Sequence, residues 1–275
     1  MAKRAHRSGR RNQGETVKAV VVIFIAVAVL AGMFGAYIYA SSTNPELDKQ
    51  TLCPIDQKKI TSLTVLLVDV TDPMNLPQRQ DFINQLDKLA ESIPRNGKLV
   101  ITKVDPVSEH LLHPVITVCN PGTATDANEW SGNPKKLAEM HAENFRKPLD
   151  EAFEQLLDAS GAERSPILES IQSVNLTEFQ KGPVASLPRK LVVASDLLQH
   201  TNSISFYSGI PHAEALISSP EFGRARTDLR GTDVELWMLE RADTRKTQPR
   251  ALAELWDLLI QEQKGNVTRI YRISG

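Results

Sequence analysis

One stretch of the chain is apolar without interruption. Ala19 to Ala40, AVVVIFIAVAVLAGMFGAYIYA, runs for 22 residues with no charge. At 1.5 Å rise per residue, a helix of that length matches a hydrocarbon core of about 30 Å. The pattern predicts one bilayer-spanning helix between a basic tail (1–18) and a polar linker (41–58), followed by one folded domain (59–275). A cleaved signal peptide is the competing reading, with Ala40, Ser41 and Ser42 as the small residues of a processing site, although signal h-regions are shorter, about 7 to 15 residues.

Beyond the linker the pattern alternates between two kinds of segment. Short, nearly continuous apolar runs rich in β-branched residues fit strands covered on both faces: Leu63–Val70, Lys98–Val104, Val115–Val118, Leu191–Ala194, Val234–Leu239 and Val267–Ile273. Between them lie stretches with apolar residues at helical spacing. These are Pro77–Ile93, Pro134–Ala159 (two helices or one bent at Pro148), Ile167–Phe179 and Pro249–Lys264. Ser165 is expected to cap the third of these helices, with Pro166 at its first position. Strand alternating with helix predicts an α/β class, a doubly wound, mainly parallel sheet with helices on both faces. In such open sheets ligands bind at the carboxyl ends of the strands.

Charge adds an orientation. The net charge is −1, but Lys3, Arg4, Arg7, Arg10, Arg11 and Lys18 stand against Glu15 alone in the first eighteen residues. The basic flank predicts a cytoplasmic N-terminus and an exported domain, on the periplasmic side of a bacterial inner membrane. The domain is left acidic, which argues against nucleic acid as a partner. Tyr37 and Tyr39 suit the outer interface. Ala28, Gly32, Ala36 and Ala40 lie on one stripe, which either allows a second helix to approach or reflects how common small residues are in such spans. Cys53 and Cys119, the two cysteines, both follow the span. In an oxidising compartment they are expected to pair.

Three segments at strand ends carry candidate chemistry: Asp69-Val70-Thr71-Asp72-Pro73, Arg164-Ser165-Pro166 and Ser195-Asp196. On these residues the domain resembles a von Willebrand factor A domain. That fold carries a metal-ion-dependent adhesion site with an Asp-x-Ser/Thr-x-Ser loop after its first strand, a Thr opening a later helix and an Asp ending the fourth strand. Asp69 and Thr71 match the first two loop positions, Ser165 resembles the helix-opening Thr, and Asp196 resembles the later Asp. Pro73 stands where the third loop position has a hydroxyl, and Leu197 stands where Gly is usual. The resemblance implies a site for Mg²⁺ held by Asp69, Thr71, Ser165 and Asp196, with Asp72 as a further oxygen donor, and a protein partner. Hard oxygen ligands suit such an ion. The other reading of the same residues is turn-forming aspartates and a helix cap around an empty site.

Other chemistry has less support. Asp69 followed two residues later by an acid would suit an exported, metal-dependent phosphoesterase, but Thr71 takes the second position. Gly-x-Gly-x-x-Gly, Walker and Gly-x-Ser-x-Gly motifs are absent. His110 and His113 stand three apart and the other histidines are scattered, which falls short of a zinc site. Phe206 and Tyr207, in the loop after Asp196, are either partner contacts or a lid over the core. The expected function is a membrane-anchored, exported interaction module of an envelope complex.

Overall fold

The computed structural model describes residues 12–43, 45–69, 74–107, 111–127, 133–158, 163–240 and 248–274. It divides into two compact units, Met1–Pro45 and Glu46–Gly275. The first contains helix α1 (Asn12–Thr43), in which Val17–Tyr39, 23 residues, is long and apolar enough to cross a membrane.

The second unit is built on a six-stranded sheet. Its strands are β1 (Leu63–Val68), β2 (Lys98–Lys103), β3 (Pro114–Cys119), β4 (Arg189–Ser195), β5 (Thr232–Leu239) and β6 (Asn266–Ile273), in the order β3-β2-β1-β4-β5-β6. All neighbours pair parallel except β3 on β2. The exception has a simple cause: only residues 104–113 join β2 to β3, too few for the helical crossover that a parallel return requires. Helices cover both faces, and the doubly wound, mainly parallel architecture is consistent with a von Willebrand A-type α/β fold.

The helices of the domain are α2 (Leu76–Ser92), α3 (Pro134–His141), α4 (Lys147–Asp158), α5 (Ile167–Val174), α6 (Ala213–Ile217), α7 (Pro220–Ala225) and α8 (Arg250–Glu262). On one face α2, α4 and the turn before α4 bury Phe82, Leu86, Phe145, Leu149 and Phe153 against Leu66, Val68, Val192 and Trp237 of the strands. Phe82 stacks on Phe153 at 4.8 Å and meets the edge of Trp237 at 5.7 Å. On the other face α5, α7 and α8 bury Ile167, Leu168, Ile171, Phe222, Leu252 and Trp256 against Val65, Leu67, Leu191 and Val193. Adjacent positions on one strand, such as Leu66 and Leu67, thus serve opposite cores, which is why the strands read as unbroken apolar runs.

Local chemistry explains the helix ends. Asn75 and Gln78 form a reciprocal capping box at the start of α2, each side chain bonding the other's backbone N–H. Between α3 and α4 the segment Ala142–Arg146 forms a π-helical turn, so the expected kink is one widened turn just before Pro148, in a run whose flanking backbone stays helical. A second such turn, Asn175–Phe179, continues α5. Helices α6 and α7 carry no long amphipathic pattern and were not expected from the sequence.

Cys53 and Cys119 form a disulfide across a separation of 66 residues. Thr51 accepts the backbone N–H of Cys119, and Leu47 bridges to Pro54. The segment from Glu46 onward, expected as stalk, is therefore folded onto the domain.

Candidate functional site

Strands β1 and β4 are parallel neighbours, and the chain leaves the carboxyl end of β1 toward β2 on one side and that of β4 toward β5 on the other. This is the topological switch point of the sheet, where the loops diverge and leave a crevice. Asp69 directly follows β1, and its backbone N–H donates to the Ala194 carbonyl at 2.8 Å. Val68 is in register with Ala194, which sets Asp69 beside Ser195.

Both hydroxyls near Asp69 donate to the same carboxylate oxygen. Ser165 Oγ lies 2.6 Å and Ser195 Oγ 2.8 Å from Asp69 Oδ2. Asp196, next along the chain, accepts the Leu198 N–H on Oδ1 at 2.9 Å. Asp69 and Asp196 are each 1% exposed. Burial, and next the negative charge of Asp69, push the Asp196 carboxyl up to about 7. The Tyr207 hydroxyl is pushed up to about 12, first by burial and then by the charges of Asp196 and Asp69. The Tyr207 and His200 rings meet edge to face, with centroids 5.3 Å apart.

Of the residues singled out in the sequence, Asp69, Ser165 and Asp196 come together. Thr71 and Asp72 lie outside the described residues, as does His110. Two expectations need correction. Ser165 does not cap α5, because its hydroxyl is turned to Asp69; Pro166 holds the cap position without a side-chain bond. The fully buried Gln199, from the loop after β4, accepts the Leu168 N–H instead, at 3.0 Å. Phe206 is fully buried near Trp256 and belongs to the core, because its long apolar ring fills space under the loop. Tyr207, 44% exposed, is left to meet solvent.

The backbone after Asp196 is held in an unusual conformation. Leu197 has φ +62° and is fully buried, so a branched side chain occupies the left-handed region that favours glycine. Three bonds hold it: Leu197 N–H donates to Ser195 Oγ, and its carbonyl accepts Trp256 Nε1, at 2.9 and 2.8 Å. The third is from Gln248, whose Nε2 donates to the Asp196 carbonyl at 2.9 Å. Leu197, at the position where Gly was expected, thus takes the left-handed turn and adds its side chain to the core.

Chemically the set is two carboxylates and two hydroxyls. Ser165 gives its proton to Asp69, which leaves its oxygen lone pairs available to a cation. Among the described residues no group of three or more His, Cys, Asp or Glu that could hold a metal ion converges. Hard oxygens around excess negative charge fit a Mg²⁺ that keeps part of its water.

No family model matches the chain, and no curated protein matches it. Among solved structures it is similar to the conserved hypothetical protein BatB from Bacteroides thetaiotaomicron, at 10% identity over 77% of this chain and 89% of that one, with a TM-score of 0.40. It is also similar to an aerotolerance-related membrane protein from Bacteroides fragilis carrying multiple mutations to serines, at 12% identity over 78% and 92%, with a TM-score of 0.36.

Proposed function

We propose that the chain is a membrane-anchored interaction module whose domain binds a protein partner through the carboxyl-end face of its sheet, with Mg²⁺ held by Asp69, Ser165 and Asp196 and joined by Thr71. The observation that carries this reading is the buried acid pair at the switch point. Two carboxylates, each 1% exposed, follow the paired strands β1 and β4, and burial first, then the charge of Asp69, pushes the Asp196 carboxyl up to about 7. Burial of like charges is costly unless a cation offsets it, and the two hydroxyls complete an oxygen set of the right hardness.

The anchoring part rests on Val17–Tyr39 and on the basic residues before it, which favour a cytoplasmic N-terminus and an exported domain in a bacterial envelope. A surface for the partner adjoins Tyr207. A groove of about 540 Å³ runs from Tyr207 past Ile210 to Leu255 and Leu258 on α8, and Leu258 is 46% exposed. Exposed apolar groups beside a charged crevice are the usual make-up of a protein contact.

Calorimetric titration of the detergent-solubilised full chain with Mg²⁺ tests the metal. Saturable binding that Asp196→Ala abolishes is the expected result. Partner capture that is lost in both Asp196→Ala and Tyr207→Ala supports the face. The phosphoesterase reading places attack on Asp69, whose Oδ2 already accepts two hydroxyl donors. Phosphatase turnover abolished by Asp69→Ala would overturn the interaction module.

A further inference from the structure

A second polar cleft, of about 350 Å³, opens between the loop after β4, the first turn of α5, and α7. We infer that it is a site for a small carboxylate ligand, with Arg164 as the principal contact and Arg224 beside it. The inference is independent of any metal at Asp69 and Asp196.

Four charged side chains line the cleft: Arg164, Glu169, Glu221 and Arg224. Three are already committed. Glu221 accepts from Arg224 at 3.3 Å, and Glu169 Oε2 accepts from Gln199 Nε2 at 2.8 Å. Arg164 has no carboxylate partner among the described residues. A guanidinium in a polar cleft presents paired N–H donors that match the two oxygens of a carboxylate.

The position of Arg164 is set by its neighbour. Ser165 and His200 exchange two backbone hydrogen bonds, both 2.9 Å, which fasten the start of α5 to the loop that forms the opposite wall. Asn202, in that wall, makes no side-chain hydrogen bond among the described residues and offers a further polar group to a ligand. The charged lining sums to zero, Arg164 and Arg224 against Glu169 and Glu221, so a singly charged carboxylate on Arg164 meets less repulsion from the two glutamates than a doubly charged phosphate does. The volume lies at the small end of ligand pockets, which suits a molecule the size of an amino acid.

The test is calorimetry on the detergent-solubilised full chain in EDTA, with glutamine, N-acetylglutamine and inorganic phosphate as separate probes. The expected result is that both carboxylates bind, that Arg164→Ala weakens them by about tenfold or more, and that Arg164→Lys falls between because it keeps charge without the fork. Glu91→Gln, on α2 at the opposite face of the sheet, serves as the control and is expected to bind like the wild type. An unchanged unfolding midpoint in Arg164→Ala shows that the loss is local. Binding of phosphate alone, absence of binding by either carboxylate up to about 10 mM, or affinity unaltered by Arg164→Ala would each overturn the assignment.

Discussion

The two ends of the sheet are built on opposite principles. At the amino end the chain is stapled and several polar groups are paired, although Ser62 Oγ, Arg189 Nε and Thr232 Oγ1 are buried there without a hydrogen bond among the described residues. Cys53 is bonded to Cys119. The buried Asn120 donates to the Ile93 carbonyl and accepts the Gly122 N–H, and Lys98 pairs with Glu178 at 3.0 Å. Gly97 sits so tightly in its turn that a Cβ would meet Ser62 Oγ at 2.7 Å and the Pro94 carbonyl at 2.8 Å. At the carboxyl end, two like charges are buried together and a leucine is held at φ +62°. The covalent closure thus lies at one end of the sheet, and the buried acid pair and the left-handed leucine at the other. The costs of the last two persist only when surrounding bonds enforce them, and they cluster at sites of function.

Four experiments would break or sharpen that contrast, each read by unfolding of the full chain in detergent. The largest effect is expected at the amino end. Replacing both cysteines by serine opens a closure across 66 residues, and the loss should be about 4 kcal/mol on chain entropy. A much smaller loss would mean that the segment from Glu46 is held by other contacts.

Next comes Asp196→Asn. The carboxyl titrates near 3.8 when unfolded and near 7 when folded. Between those values the folded state keeps a proton that the unfolded state has released, so this group's stabilising contribution is complete below pH 4 and is lost as pH rises through 7. In EDTA the asparagine variant should flatten that decline and gain a few kcal/mol at pH 8. If Mg²⁺ occupies the site, adding it should stabilise wild type at pH 8 and leave Asp196→Asn largely unmoved. An identical pH profile for the two proteins would refute the buried-charge account.

Ser165→Ala removes one of two donors to a buried carboxylate, and about 2 kcal/mol should be lost. The α5 end should stay intact, because Gln199 rather than Ser165 caps it; a general loss of helical signal would contradict this. The smallest effect is a difference. Leu197→Gly and Leu197→Ala both remove a buried side chain, yet the glycine variant should be about 1 kcal/mol more stable than the alanine variant, because glycine alone relieves the left-handed backbone. The reverse order would show that the turn is not strained.

How much of this was legible depends on how far each feature reaches along the chain. Strands β1, β2, β4 and β5 were readable because burial on both faces leaves an unbroken apolar run, and α2 and α8 because one apolar face repeats at helical spacing. The candidate site was legible in part: Asp69, Ser165 and Asp196 fall at predicted element ends, where short polar residues interrupt apolar runs. Ser195 was named beside Asp196 but was given no role of its own. Its role follows only from the β1–β4 register, which sets it beside Asp69. Gln199 could not be recognised as a helix cap, since it reaches Leu168 from 31 residues away. The loop aromatics Phe206 and Tyr207 have the same local pattern, and only the packing around Trp256 sends one inward and leaves the other at the surface.

The sequence by itself determined the apolar helix, the alternation of strand and helix, and the chemical identities gathered at the strand ends, because periodicity and residue type are local properties. The tertiary structure decided which strands are neighbours, that β3 runs antiparallel, that the cysteines meet, and which hydroxyl faces which carboxylate. Those outcomes depend on chain segments distant in sequence finding a common register and a shared core, and no local pattern encodes that choice.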